Sequence, residues 1–377
     1  MKKISGSRIA AGMIFLLMTI FNVAAWVFPT LMELYHSTVY HFMSGALSRI
    51  CGIFPFSVGE ILIALAILLV TGSIVTVVIA VIKKDPAPAK AVTRVLTVVL
   101  AYIYATETLN CFVLYHTIPL TERLAPYTRE EYTVEELVEL CRYMILEAND
   151  LALTVKRDEQ GNIILPERLD KCAEDAFANL KSDFPELSGY CPRPKRMIAS
   201  TLMTQLDLQG VYFPFTLEGN YNGYLSPART PTTVFHEITH IKGFIREDEA
   251  TFLACIAALS SDVPEVRYSG CIESMNYLFA ECRKYATEEQ IYSLRCDLSI
   301  RVAKDNYFVS EEHMKKAETS VLPKETVNKV GEKAMETTLK VNGVKDGKKS
   351  YNRMVTLLLI WAYRTEDRPA IRSYPTQ

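Results

Sequence analysis

Pro231-Thr-Thr-Val-Phe-His-Glu-Ile-Thr-His-Ile-Lys-Gly-Phe-Ile-Arg-Glu-Asp-Glu-Ala250 is the stretch on which the reading of this chain turns. Pro231 suits the first turn of a helix, where a backbone N–H is unneeded. Val234, Phe235, Ile238 and Ile241 supply the apolar packing such a helix requires. His236 and His240 stand four residues apart, so a helix stacks both imidazoles on one face. Two ring nitrogens so placed can reach one tetrahedral ion, and the ligand types point to Zn²⁺. Glu237 projects beside that face, where it can touch a water on the ion rather than the ion itself. Zinc acidifies such a water to a pKa around 7, and a neighbouring carboxylate can then act as general base. The plainer alternative is a pair of histidines on an ordinary helix.

A catalytic zinc site takes three protein ligands and leaves one position open. A straight helix could not return a third ligand from the residues after His240. Gly243 lets the chain stop and turn, because glycine accepts positive φ. A following helix from about Arg246 can then present Glu247, Asp248 or Glu249. The same acidic cluster also suits a helix N-terminus, where negative charge complements the dipole. Upstream, Gln209-Gly-Val-Tyr-Phe-Pro-Phe-Thr216 predicts a strand interrupted at Pro214, which points to a sheet edge. An edge strand above a zinc helix can take an extended substrate by main-chain pairing, with Tyr212, Phe213 and Thr216 as contacts. A strand serving packing alone fits equally well. A donor for the developing oxyanion could come from Arg246, Tyr268 or His313, and spacing does not choose among them. A lone tyrosine in a helix is usually core, and His313 beside Glu311 and Glu312 reads as solvated.

Outward from this stretch the chain is asymmetric. Among its 377 residues the long apolar runs fall before position 118. Segments 9–30, 58–82 and 92–114 are each long enough to cross a hydrocarbon core of roughly 30 Å. The third is weaker, with Arg94, Glu107 and Asn110 inside it. The first also resembles a signal peptide, but no small-residue cleavage site follows and two more spans do, so a retained anchor is expected. Lys2, Lys3 and Arg8 precede span one, and Lys83, Lys84, Lys90 and Arg94 lie around the link between spans two and three. Arg49 is the one strong base between spans one and two. Positive charge favours the cytoplasm, so three crossings place the polar part outside the cell membrane. The expected division is a membrane anchor, 1–118, and an extracytoplasmic domain, 119–377.

That domain reads as helical. Thr133-Val-Glu-Glu136 and Thr287-Glu-Glu-Gln290 are capping boxes. A second helix is expected over about 167–180, and 354–363 is too short to span, so it predicts a core helix. Segment 342–347 carries turn chemistry. A formal charge of −2 with no basic face argues against nucleic acid. Nine cysteines without a Cys-x-x-Cys pair give no thiolate zinc site. They read as small buried hydrophobes, with one or two disulfides open to an oxidising compartment.

Glu247-x-x-Ala250 before an apolar helix is similar to the second motif of the gluzincin-type His-Glu-x-x-His peptidases, whose third ligand is a glutamate in a Glu-x-x-Ala-(Asp/Asn) helix. That resemblance implies Glu247 as ligand, with Glu249 as runner-up. Thr251 stands where those families carry Asp or Asn, which removes a partner that steadies a ligand. Over nearly the whole chain the order of motifs resembles a family of bacterial membrane proteins catalogued as a domain of unknown function and read as metallopeptidases. Those motifs are three spans, Gly210-Val-Tyr-Phe-Pro-Phe-Thr-Leu-Glu-Gly-Asn220, His236–His240, Gly243-Phe, Arg246-Glu-Asp-Glu-Ala, Arg267-Tyr-Ser-Gly270 and Asn342-Gly-Val-Lys-Asp-Gly-Lys-Lys-Ser-Tyr351. The expectation is a membrane-anchored, mainly α protein: three transmembrane helices, then a zincin-like helical domain with a small edge sheet. It would hydrolyse peptide or protein substrates at the bilayer, with His236, His240 and Glu247 on Zn²⁺ and Glu237 as base. The alternative is a non-catalytic membrane sensor or binding module with a structural zinc.

Overall fold

The computed structural model describes residues 6–127, 132–320, 324–341 and 351–364. Lys2, Lys3 and the turn at 342–347 lie outside the described residues. The chain divides into two compact units, residues up to 117 with 213–218, and residues 118–212 with 219 onward.

The first unit is built on α1 (Gly6–Val27), α2 (Pro29–Tyr35), a π-helical turn (His36–Tyr40), α3 (His41–Gly52), α4 (Val58–Ile82) and α5 (Pro86–Asn110). Among the described residues three stretches are long and apolar enough to cross a membrane: Gly6–Val27, Val58–Ile82 and Pro86–His116, the last including a 3₁₀ extension. Their apolar side chains are largely exposed, as lipid-facing helices require. Where α1 meets α5, polar groups satisfy one another: Asn22 Nδ2 donates to Thr108 Oγ1 at 2.8 Å, and the Thr19 and Tyr104 hydroxyls lie 3.1 Å apart. In hydrocarbon such pairing replaces water as the partner. The start of α4 is closed by Ser57, which accepts from the Glu60 N–H. It is closed again by the buried carboxylate of Glu218, which accepts from the Val58 and Gly59 N–H groups at 3.0 and 2.8 Å. The 213–218 loop is further held when Asn110 Nδ2 donates to the Pro214 carbonyl and the Tyr102 hydroxyl to that of Phe215, both at 2.7 Å.

The second unit is helical with one small sheet. Its helices are α6 (Leu120–Arg123), α7 (Val134–Thr154), α8 (Leu169–Asn179), α9 (Ser200–Gln205), α10 (Thr230–Ile241), α11 (Glu247–Leu259), α12 (Pro264–Tyr285), α13 (Glu288–Asp297), α14 (Ile300–Asp305), α15 (Glu311–Glu318), α16 (Lys324–Val341) and α17 (Tyr351–Tyr363). Capping boxes at Thr133 and Thr287 start α7 and α13. Strands β1 (Lys195–Arg196), β2 (Gly210–Phe213) and β3 (Glu218–Tyr221) form a sheet in the order β1-β3-β2. β1 runs parallel to β3. A connection as short as 214–217 can join only antiparallel strands, so β2 and β3 are a hairpin and β2 is an edge. The strand ends before Pro214, which cannot donate to a ladder.

α10 is the central helix, with every residue but His236 buried. Its threonines are satisfied inside the fold: Thr232 meets Ser269 Oγ at 2.7 Å, and Thr239 donates to the Phe235 carbonyl at 2.8 Å. α11 packs along both α10 and α12, and α17 covers α11 with Met354, Leu357 and Leu358 buried. All nine cysteines are free thiols, and of these only Cys296 is exposed.

Candidate metal centre

Helix α10 presents His236 and His240 one turn apart, with ring centroids 4.5 Å from each other. After Ile241 the helix ends, and Gly243 takes φ +100°, a conformation that a side chain would strain. The turn lets α11 begin at Glu247 and bring that carboxylate back to the histidines. Glu247 Oε2 lies 3.1 Å from His236 Nε2 and 3.7 Å from His240 Nε2. Ligand atoms of these three residues fall within 4.8 Å of one another.

The two neighbouring acids face elsewhere, since successive helical residues point about 100° apart. Glu249 accepts from the Leu120 N–H at 2.9 Å and from Arg246 Nη1 at 3.1 Å. Asp248 is buried, 4.0 Å from Arg353.

Each histidine is held through its other nitrogen. His240 Nδ1 lies 2.8 Å from the Phe244 carbonyl. A carbonyl only accepts, so Nδ1 carries a proton, and Nε2 is the nitrogen turned to the site. His236 Nδ1 is 3.2 Å from the Thr251 hydroxyl. Where the resembled families carry a carboxylate or amide, a hydroxyl able to donate or accept meets this imidazole.

Glu237 points into the same region and is buried, and its Oε2 has no hydrogen-bond partner. Burial pushes its carboxyl up to about 8, with Glu247 adding to the rise and His240 opposing it. Glu247 is held well below the usual carboxylate range: burial opposes this, and the charge of His240 and the histidine hydrogen bonds overcome it. The hairpin packs on Glu237 through glycines. A Cβ on Gly210 would stand 2.2 Å from Glu237 Oε1, and one on Gly219 would stand 2.9 Å from Glu237 Cβ. Only bare backbone fits there.

Of the strand residues singled out from sequence, Tyr212 reaches this group, its ring centroid 5.9 Å from that of His240. Phe213 and Thr216 belong to the first unit, where Phe213 packs on Gly59 and stacks with Phe215, and Thr216 is buried. The three candidate oxyanion donors are engaged in other contacts. Arg246 pairs with Glu249, and the buried Tyr268 hydroxyl donates to Asp305 at 2.7 Å. His313, half-buried, stacks on Tyr224 at 3.9 Å and meets Ser310 Oγ at 2.8 Å. Gly210, Gly219 and Thr251 are the site residues that spacing alone did not reveal as such.

The donor set suits a metal ion. It comprises two imidazole nitrogens and a carboxylate kept ionised, gathered in a partly open position. No curated protein and no solved structure matches the chain. The family described as Protein of unknown function (DUF3810) matches residues 35–359, and the chain belongs to it.

Proposed function

We propose that this protein is a membrane-bound zinc metallopeptidase that hydrolyses peptide bonds, with Glu237 as general base. The observation that carries the reading is the convergence of three, and among the described residues only three, metal-ligating side chains beside a buried carboxylate oxygen that has no partner. A sealed structural zinc, as in a sensor or binding module, calls for a fourth protein ligand.

His236, His240 and Glu247 would hold the ion. Zinc at that place supplies the Lewis acid that polarises a carbonyl and acidifies water. Glu237 takes the proton of the attacking water at Oε2 and returns it to the departing amide nitrogen. Its raised pKa suits that exchange, because a carboxyl that ionises near neutrality can both accept and give the proton. The Phe244 carbonyl and the Thr251 hydroxyl hold the two imidazoles in orientation. Edge strand β2 offers main-chain groups to an extended substrate, and Tyr212 stands beside the ligand His240 as its contact. With Arg8 and the Lys83–Arg94 link in the cytoplasm, three spans carry the peptidase unit outside, so its substrates are extracytoplasmic or membrane-associated.

Glu237→Gln tests the reading. The purified variant is expected to keep its helix content and its zinc, and to lose about 10²–10⁴-fold in cleavage rate. Comparing membrane and secreted proteomes of wild-type and Glu237→Gln cells identifies the substrates, and unchanged cleavage in the variant would sink the catalytic claim. His236→Ala is expected to lose the metal altogether, and indifference to that change would remove the zinc site.

A further inference from the structure

The link between the first two membrane spans has its amphipathicity inside out. From Pro29 to Gly52 it is helical almost without a break, through α2, the π-helical turn and α3. The side chains it buries follow one helical face and include few aliphatic ones: Met32, Tyr35, His36, Tyr40, Ser44 and Ser48. The opposite stripe is apolar and bare. Val39, Phe42, Ile50 and Ile53 are all more than half exposed, Phe42 reaching 79% and Ile53 78%. A helix facing water shows the reverse arrangement.

Three observations say what covers that stripe. The segment starts one residue after the span Gly6–Val27 and ends shortly before the span Val58–Ile82, so both its ends meet lipid-facing helices. Its buried face meets the C-terminal part of the third span, since the Tyr35 hydroxyl donates to the Leu109 carbonyl at 3.0 Å, one residue before α5 gives way to the 3₁₀ extension. The joint with α1 is Phe28 alone, at φ −126° and ψ 71°: its N–H closes α1 on Ala24 O at 2.9 Å, and its carbonyl opens α2 by accepting from Met32 N–H at 3.3 Å. Antiparallel helices need a loop of about 2–5 residues. The chain therefore bends at Phe28, with Pro29 opening the next helix, and does not fold back as another span.

We infer that residues 29–53 lie along the membrane surface, with the Val39, Phe42, Ile50 and Ile53 stripe sunk into the acyl chains of the leaflet where α1 ends. The partner is lipid. Tyr35, Ser44 and Ser48 face protein, and Arg49 lies at the flank of the stripe, where a long basic side chain can reach headgroups. The inference is independent of the metal site.

Depth measurement tests it. Phe42→Trp and Ile50→Trp are made in full-length protein carrying Trp26→Phe and Trp361→Phe, then reconstituted in vesicles of phosphatidylcholine brominated at defined acyl positions. Both tryptophans are expected to be quenched most by bromine near the headgroup end of the chain, at the same shallow depth. A depth difference of about 12 Å between the two, the rise of eight helical residues, would mean a crossing helix and overturn the proposal. So would insensitivity to bromine together with full quenching by aqueous iodide. If Trp361→Phe loosens the core, each variant is made in the otherwise unaltered chain and read as the difference from wild type.

Discussion

A hydroxyl 3.2 Å from an imidazole nitrogen fixes the ring's rotation, and a methyl group of the same size does not. Thr251→Val is therefore expected to weaken zinc binding about 10–100-fold with little change in fold, the range typical for partners of metal ligands. Thr251→Ser should restore most of it, and competition with a chromophoric chelator reads both. Gly210 makes a different case. Its missing side chain leaves room for the tip of Glu237, a flexible group, so Gly210→Ala should push the carboxylate aside rather than unfold the protein. We expect unchanged zinc content and melting temperature, with activity down on the order of 10²-fold, the cost of an ångström-scale misplacement. Full activity in that variant would show that the carboxylate's position is not critical. The histidine pair and Glu237 were legible from spacing alone. The choice of Glu247 over Glu249 was not, because Glu249 is decided by the Leu120 amide, 129 residues away in sequence.

Between α10 and α11 the chain turns on one residue. Gly243 at φ +100° aims the Phe244 carbonyl at His240 and sets the start of α11, so one backbone conformation serves two of the candidate ligands. Gly243→Ala is expected to cost about 1–2 kcal/mol by denaturant titration, the strain of a side chain at positive φ. It should also weaken zinc binding. Stability unchanged within error would mean the turn has another solution. Local rules announced this turn, the capping boxes at Thr133 and Thr287, and the strand that stops before Pro214. The surface helix at 29–52 escaped them because its polar side chains are mixed with its apolar ones along the sequence. Only packing reveals which of them face inward.

At the scale of the molecule, the three spans and the helical character of the remainder could be read from composition. The grouping of 213–218 with the first unit could not, since it depends on contacts of Phe213, Pro214, Phe215 and Glu218 with residues more than a hundred positions earlier. Sidedness has a direct probe in Cys296, the exposed thiol on α13. A membrane-impermeant maleimide is expected to label it in intact cells and to leave Cys141, Cys172, Cys191, Cys255, Cys271 and Cys282 unmodified until denaturant is added. Labelling that appears only after permeabilisation would invert the topology.

The carboxylate of Glu218 at the head of α4 also bears on the order of synthesis. Val58 and Gly59 are synthesised about 8–30 s before 213–218 exist, at ordinary elongation rates. The amide groups of Val58 and Gly59 wait for that acid, and the hairpin whose glycines roof Glu237 waits for its own tip to find a place among helices already inserted. A chain cut to begin at 119 would carry the histidines and Glu237, yet its Phe213–Glu218 loop would have lost Gly59, Tyr102 and Asn110. Docking of the 213–218 loop in the bilayer thus comes after the spans that receive it have been made.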